Sequence, residues 1–185
     1  MEQLQLDHVH VRMIARHVAQ GMPLETCGIL SGSGERVQRV SPIDNIAIDA
    51  SQYFEMHPMQ LLHTLKYIDA AGEELLAIYH CHPRGELIPS PTDIAHARRH
   101  LPGMVQLIVQ LKDKELRMKA WRIDADAITD VPIVIGKTGA QPHLRRLSDA
   151  ERLAIILAAG LSAALVILVA VTLLPAAPDL TLTVR

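Results

Sequence analysis

The sequence contains few aromatic residues, few cysteines and little net charge. Phe, Trp and Tyr make up 3% of the 185 residues, too few for the base-stacking surfaces of single-strand nucleic-acid binders. The formal net charge is −2, so no overall basic field favours nucleic acid as a partner. The two cysteines, Cys27 and Cys81, exclude a disulfide-stapled secreted scaffold and suit a reducing compartment.

Charged side chains are also missing from one long segment, residues 153–174. As a helix, this segment would span about 33 Å, compared with roughly 30 Å of hydrocarbon in a bilayer. A buried core helix is the alternative, but such helices rarely reach this length without a polar face. The sequence therefore predicts a single C-terminal transmembrane helix and, with it, a membrane as partner.

The charges around residues 153–174 predict an orientation. Most of the nearby arginines precede the segment: Arg145, Arg146 and Arg152 lie before it, and Arg185 follows it. This bias predicts a single-pass, tail-anchored protein whose large N-terminal part faces the cytoplasm. Residues 1–12 carry charges where a signal peptide would be apolar, so no export signal is predicted before the domain. Gly160 and Ala164 form a small-xxx-small pair that offers weak support for a homodimer.

Helix and strand patterns alternate through the first 136 residues. Asp7 and Ser90 each precede a helical pattern and are typical N-cap residues. Helices are predicted at 8–20, 58–71 and 91–100, and strands at 26–32, 36–41, 75–82, 105–111, 116–123 and 131–135. This order predicts an α/β domain with a mixed sheet flanked by helices. The predicted organisation is a domain at 1–136, a linker at 137–152, the transmembrane helix at 153–174 and an exit tail at 175–185.

One strand and the helix after it carry a candidate metal-binding set. His80 and His82 are two residues apart in the apolar strand LLAIYHCH, so both imidazoles project from one face and Cys81 from the other. Asp93 follows at the start of the next helix. Two nitrogens and one carboxylate oxygen make an open zinc set, in which three protein ligands leave the fourth position for water.

Each half of this pattern also has a simpler interpretation. A His-x-His pair occurs often as surface or core histidine. The segment SPTD (90–93) is independently a good helix start, with Ser90 as N-cap, Pro91 in the first helical position and an acid at the third. The capping interpretation is compatible with the functional one, because a capped helix start holds Asp93 rigidly against the strand with the histidines.

The segments HCHP (80–83) and SPTD (90–93) together resemble the signature of the JAMM (JAB/MPN-type) zinc metalloproteases. The upstream segment PLETCGILSG (23–32) is similar to the glutamate-bearing first strand of that family. The resemblance covers about residues 5–135, including Asn45 after the second strand. It implies a cytidine-deaminase-like α/β fold and hydrolysis of peptide or isopeptide bonds after the C-terminal glycine of ubiquitin-like proteins.

The resemblance also implies a role for individual residues. His80, His82 and Asp93 would ligate one Zn²⁺ per chain. Glu25 would take a proton from the water that the metal activates and pass it to the leaving amine. Ser90 would hydrogen-bond the developing oxyanion. Spacing alone does not select Glu25, which lies 55 residues before His80, although this chemistry does require a nearby base.

Two functions follow as hypotheses. The first is a membrane-tethered zinc metallopeptidase acting on a ubiquitin-like or sulfur-carrier protein, since the short intervals between the motifs resemble compact bacterial members of the family. The alternative is a non-catalytic, membrane-tethered scaffold of the same family with a structural zinc. Cys81 stands where the family commonly has Ser or Thr. Strand alternation favours a buried small side chain there over a fourth ligand.

Overall fold

The computed structural model describes residues 1–136, which contain three helices and eight strands. The helices are α1 (His8–Gly21), α2 (Pro58–Ala70) and α3 (Pro91–His100). The strands are β1 (Leu4–Asp7), β2 (Cys27–Ser33), β3 (Arg36–Ile43), β4 (Glu74–Cys81), β5 (Val105–Lys112), β6 (Glu115–Ile123), β7 (Ile128–Val131) and β8 (Ile133–Gly136).

All eight strands form one mixed sheet in the order β7-β6-β5-β4-β2-β3-β1-β8. The pairs β1/β3, β1/β8 and β4/β5 are parallel, and the other pairs are antiparallel. Strands β7 and β8 lie at opposite edges of this order, although only Pro132 separates them in the chain. The sheet must therefore curve until its two edges lie close together.

The two faces of the curved sheet have separate cores. One face forms the larger cluster with α1, in which Ile14 and Val18 pack against buried residues such as Leu30 and Tyr79. On the other face, α2 contributes Ile68 to a smaller cluster that includes residues of β2 and β3. Alternation along each strand assigns successive side chains to the two cores. The apolar burial on both sides fixes the central strands in place.

The structure confirms the α/β class and the mixed sheet flanked by helices. It differs from the predicted elements at both ends of the domain. Strand β1 was not predicted, because its four residues are too short to show a pattern. The predicted strand 131–135 is divided between β7 and β8 at Pro132, which has no N–H to donate to a sheet ladder.

The predicted membrane localisation needs correction. Across residues 1–136, no helix is long and apolar enough to cross a bilayer. Within these residues the longest helix, α1, has 14 residues and reaches about 21 Å. This finding contradicts the predicted tail-anchored, cytoplasm-facing protein, which was inferred from an apolar run and its flanking arginines alone. The predicted span at 153–174, its linker, its exit tail and the Gly160/Ala164 pair lie outside the described residues.

Gly28 in β2 gives a test of the packing that holds the central strands. A Cβ at this position would lie 2.5 Å from both the Ser41 carbonyl oxygen and Cε1 of Tyr79. We expect Gly28→Ala to lower the free energy of unfolding by about 1–3 kcal/mol, since the neighbouring strand and ring would have to move. Denaturant unfolding measures the effect. Ser33→Ala, at an exposed position of the same strand, is the control, and equal stability of the two variants would contradict this packing.

Candidate metal centre

Strand β4 presents its histidines on one face and its core side chains on the other. Tyr79 and Cys81 are fully buried in the larger core cluster, on the side of α1. His80 therefore projects from the opposite face, where it is fully buried, and His82 follows just beyond the strand end with 8% exposure. This confirms the prediction that His80 and His82 share one face and that Cys81 lies on the other. Packing on the α1 side fixes the direction of every second side chain.

Cys81 is turned away from the histidines and is satisfied by neighbouring groups. Its sulfur accepts hydrogen bonds from the Thr26 backbone N–H at 3.2 Å and from the Thr26 hydroxyl at 3.4 Å. The thiol also lies 3.6 Å from the Leu24 carbonyl oxygen, to which it donates. These contacts agree with the predicted buried side chain.

The start of α3 brings Asp93 to the histidines. Ser90 is the N-cap, and its hydroxyl oxygen accepts a hydrogen bond from the Asp93 N–H at 3.1 Å. The Asp93 carboxylate in turn accepts from the Ser90 N–H at 2.8 Å, which completes a capping box. The predicted helix start is therefore confirmed, and the same carboxylate oxygen faces both imidazoles.

Three donor atoms form a compact triangle. The Nε2 atoms of His80 and His82 lie 3.1 Å apart, and Oδ2 of Asp93 lies 3.5 Å and 3.3 Å from them, respectively. Ligands at about 2.0–2.2 Å from a tetrahedral zinc are about 3.3–3.6 Å from one another. Within the described residues, His80, His82 and Asp93 form a group of side chains that could hold a metal ion. Two nitrogens and one oxygen at this spacing fit Zn²⁺.

The electrostatics of His80 and Asp93 also suit a cation. Burial lowers the pKa of His80 and so favours the neutral ring that a metal binds. Burial acts to raise the pKa of Asp93, but its contacts with the two imidazoles outweigh burial and hold that pKa well below its usual range. For His82, burial acts to lower the pKa, and contacts with Asp93 and the Glu86 carbonyl raise it overall.

Glu25 reaches this site through the pairing of β2 with β4. The antiparallel register places Cys27 opposite His80, so two further residues along the chain place Glu25 level with His82 and on the same face. Its side chain is buried, with 7% exposure. Burial raises the pKa of the Glu25 carboxyl to about 7, with His82 opposing this rise and Asp93 adding to it. A carboxyl with this pKa can both accept and donate a proton near neutral pH.

The segment between the histidines and α3 is held by side chains that the sequence analysis did not identify. Nδ1 of His82 lies 2.9 Å from the Glu86 carbonyl oxygen. Gln110 of β5 donates to the Gly85 carbonyl at 2.6 Å, and Trp121 of β6 donates through its indole N–H to the Leu87 carbonyl at 2.8 Å. These contacts depend on strand neighbours, which no local sequence pattern reveals.

The fold and this site together define an α/β protein with a candidate metallohydrolase centre. Residues 7–124 match the family described as prokaryotic homologs of the JAB domain. The chain belongs to this family, which confirms the JAB/JAMM resemblance.

Two curated relatives agree with this membership. One is a probable TtuB-protein conjugate cleaving protease from Thermus thermophilus, 38% identical over 89 residues that cover 48% of this chain and 60% of the relative. Another is a desampylase from Haloferax volcanii, 29% identical over 66% of this chain and 88% of the relative. Both names describe enzymes, and with the family they confirm that the chain is a hydrolase.

A solved structure supports the fold. The solution structure of protein DSY2949 from Desulfitobacterium hafniense superposes with a TM-score of 0.68 and is 26% identical, covering 76% of this chain and 97% of that protein. The α/β architecture is therefore shared over nearly the whole of that protein.

The capping box gives a prediction about folding stability that does not depend on catalysis or on a bound metal. Ser90→Ala removes the oxygen that accepts from the Asp93 N–H, so we expect the metal-free protein to lose about 1 kcal/mol of unfolding free energy. Ser90→Asn retains a capping acceptor and should remain close to the wild type. Thr92→Ala, exposed in the same helical turn, is the matched control, and chemical denaturation measures all three variants. Equal unfolding midpoints for Ser90→Ala and Thr92→Ala would show that the cap is not stabilising.

Proposed function

We propose that this protein is a zinc-dependent JAMM-type isopeptidase that hydrolyses the bond after the C-terminal glycine of a ubiquitin-like or sulfur-carrier protein. The observation that carries the proposal is the triangle of His80, His82 and Asp93 with the buried Glu25 level with it. A structural zinc site would be closed by a fourth protein ligand. Neither thiol joins the triangle here, because Cys81 points into the opposite core and Cys27, opposite His80, donates to the Ile43 carbonyl at 3.5 Å.

His80, His82 and Asp93 are the proposed ligands of one zinc ion. When bound there, the ion would supply Lewis-acid activation of a water molecule and of the scissile carbonyl. The buried positions of the two histidines and the capping contacts of Asp93 keep the three donor atoms in place. Little rearrangement of side chains is therefore needed for binding.

Glu25 is the proposed general base and acid. Its carboxylate would accept the proton of the attacking water and then deliver it to the departing amine. The pKa of about 7 supports this role, because a general base works best when its pKa is close to the operating pH. The Ser90 hydroxyl, which caps α3 through its oxygen, retains its hydrogen to donate to the substrate carbonyl oxygen as negative charge develops there.

The proposed substrate class is a protein conjugate joined through the terminal glycine of a small carrier protein. Support comes from the two relatives, one named for cleaving TtuB–protein conjugates and the other a desampylase. The test is to incubate the full-length chain with ubiquitin-like and sulfur-carrier fusions, with and without a zinc chelator. Cleavage after the terminal glycine that the chelator abolishes is the expected result. A chain that binds one zinc but cuts no fusion would support the scaffold with a structural zinc instead.

Metal binding has a stability signature. With zinc at 100 times its dissociation constant, we expect the free energy of unfolding to rise by about 2.7 kcal/mol and the chelator to reverse the gain. His80→Ala and Asp93→Asn should lose this stabilisation, whereas His63→Ala, an exposed histidine of α2, should keep it. Thermal unfolding with and without zinc measures the difference. Stabilisation that survives in His80→Ala would place the metal elsewhere.

Glu25→Gln separates proton transfer from metal binding. The amide keeps the size of the side chain but cannot accept a proton, so we expect turnover to fall by about 10²–10⁴-fold while zinc affinity is retained. Glu74→Gln, at the exposed start of β4, is the control and should keep full activity. Initial rates on the cleaved fusion and a zinc titration of each variant give the two readouts. Wild-type turnover in Glu25→Gln would remove this residue from the mechanism.

A further inference from the structure

The segment between β3 and α2 lies over the candidate site, and we call residues 45–56 the covering loop. Its two ends pair with each other, since Asn45 and Met56 form an isolated antiparallel bridge and the Ile46 N–H donates to the Glu55 carbonyl at 2.8 Å. Met56 also packs against the smaller core cluster. The loop is therefore closed at its base and anchored on the face of the sheet that carries the histidines.

The side chain of Asn45 fixes the loop from inside. Its amide nitrogen donates to the Tyr53 carbonyl at 2.9 Å, and its oxygen accepts from the N–H groups of Ala47 at 3.0 Å and Glu55 at 2.9 Å. The second N–H of the amide donates to the Glu25 carbonyl, also at 2.9 Å. All four hydrogen-bonding positions of the amide are thus in use.

The loop also holds the Glu25 peptide on its other side. The Glu25 N–H donates to the Ala50 carbonyl at 2.7 Å, so both polar groups of the Glu25 backbone bond to residues of the covering loop. Any displacement of the loop would therefore move the residue that carries the buried carboxyl.

Phe54 in this loop stacks on His80. The two ring centroids lie 4.5 Å apart, and the planes differ by 21°. Nδ1 of His80 is buried and has no hydrogen-bond partner among residues 1–136. His82 differs, because its Nδ1 contacts the Glu86 carbonyl. A ligating histidine is usually oriented by a hydrogen bond at its other ring nitrogen, and the χ2 torsion alone sets ring orientation only broadly.

We propose that Phe54 is a positioning residue of the metal centre. Its ring takes the place of the missing hydrogen bond and fixes the His80 imidazole plane so that Nε2 faces Asp93 and His82. Asn45 holds the loop that presents the ring. The inference rests on the proposed function, in that it takes His80 as a metal ligand. Through the same loop, the His80 ring and the Glu25 peptide are positioned together.

The experiment compares Phe54→Leu with Phe54→Tyr and with Tyr53→Leu in the full-length chain. Tyr53 is the adjacent aromatic residue, with its side chain exposed, and so is a matched control. Zinc affinity is measured by competition with a chromophoric chelator, and ligand geometry by the visible absorption of the Co²⁺-substituted protein. Unfolding of the metal-free variants shows whether each one folds.

Phe54→Leu should bind zinc about tenfold more weakly and shift the Co²⁺ absorption, as expected when an outer partner of a ligand is lost. Phe54→Tyr, which keeps a ring face, should restore both readouts, and Tyr53→Leu should leave both unchanged. Asn45→Ser, which releases the loop without altering the ring, should weaken zinc binding as well. Adding Phe54→Leu to Asn45→Ser should then cause little further loss, because both changes act on one element.

Wild-type zinc affinity and an unshifted Co²⁺ spectrum in Phe54→Leu would overturn the inference while leaving the proposed function intact. Equal losses in Phe54→Leu and Tyr53→Leu would also overturn it, since the loop as a whole would then be responsible. If Phe54→Leu does not fold, the Asn45→Ser measurement decides, and wild-type affinity there would overturn the inference. If the wild-type chain binds no zinc, that result contradicts the proposed function, and the inference about Phe54 loses its premise with it.

Discussion

The antiparallel pairing of β2 with β4 is the contact on which the rest of the site depends. It aligns Cys27 with His80 and thereby places Glu25 level with His82, although 55 residues separate Glu25 from His80. Both strands are central in the sheet and buried on both faces, so their register is strongly specified. A slip of one residue would turn the histidines into the α1-side core and Tyr79 toward the metal face.

The Asp93 carboxylate combines a capping role with a position that suits the proposed metal ligation, and the sequence had already indicated that the two are compatible. It completes the capping box of α3 by accepting from the Ser90 N–H, and it faces both imidazoles through the same oxygen. The helix N-terminus also favours a negative charge there. The carboxylate is therefore held in its charged form by local structure, and its position does not depend on an ion. Capping and the proposed ligation are compatible because both require an immobile, ionised side chain.

Much of the site could be predicted from the sequence, since three of its residues lie on adjacent local elements. Period-two alternation gave the common face of His80 and His82, and N-cap chemistry gave the position of Asp93. Glu25 came only from the family resemblance, because strand register is a long-range property. Phe54 lies in a loop without periodicity, and no local signal connects it with His80. The predicted membrane localisation was wrong: it was inferred from an apolar run and its flanking arginines, and no helix within residues 1–136 is long and apolar enough to cross a bilayer.

The α1-side core ties the metal face to the remainder of the domain. Tyr79 precedes His80 in β4, is fully buried, and lies against Gly28, where its ring occupies the space that a Cβ would need. Its hydroxyl lies 2.8 Å from Nδ1 of His17 in α1. Because Tyr79 and His80 are consecutive in one strand, a shift of the β4 backbone at Tyr79 would also displace His80. The apolar packing on one face of β4 therefore constrains where the candidate donor atoms lie on the other face.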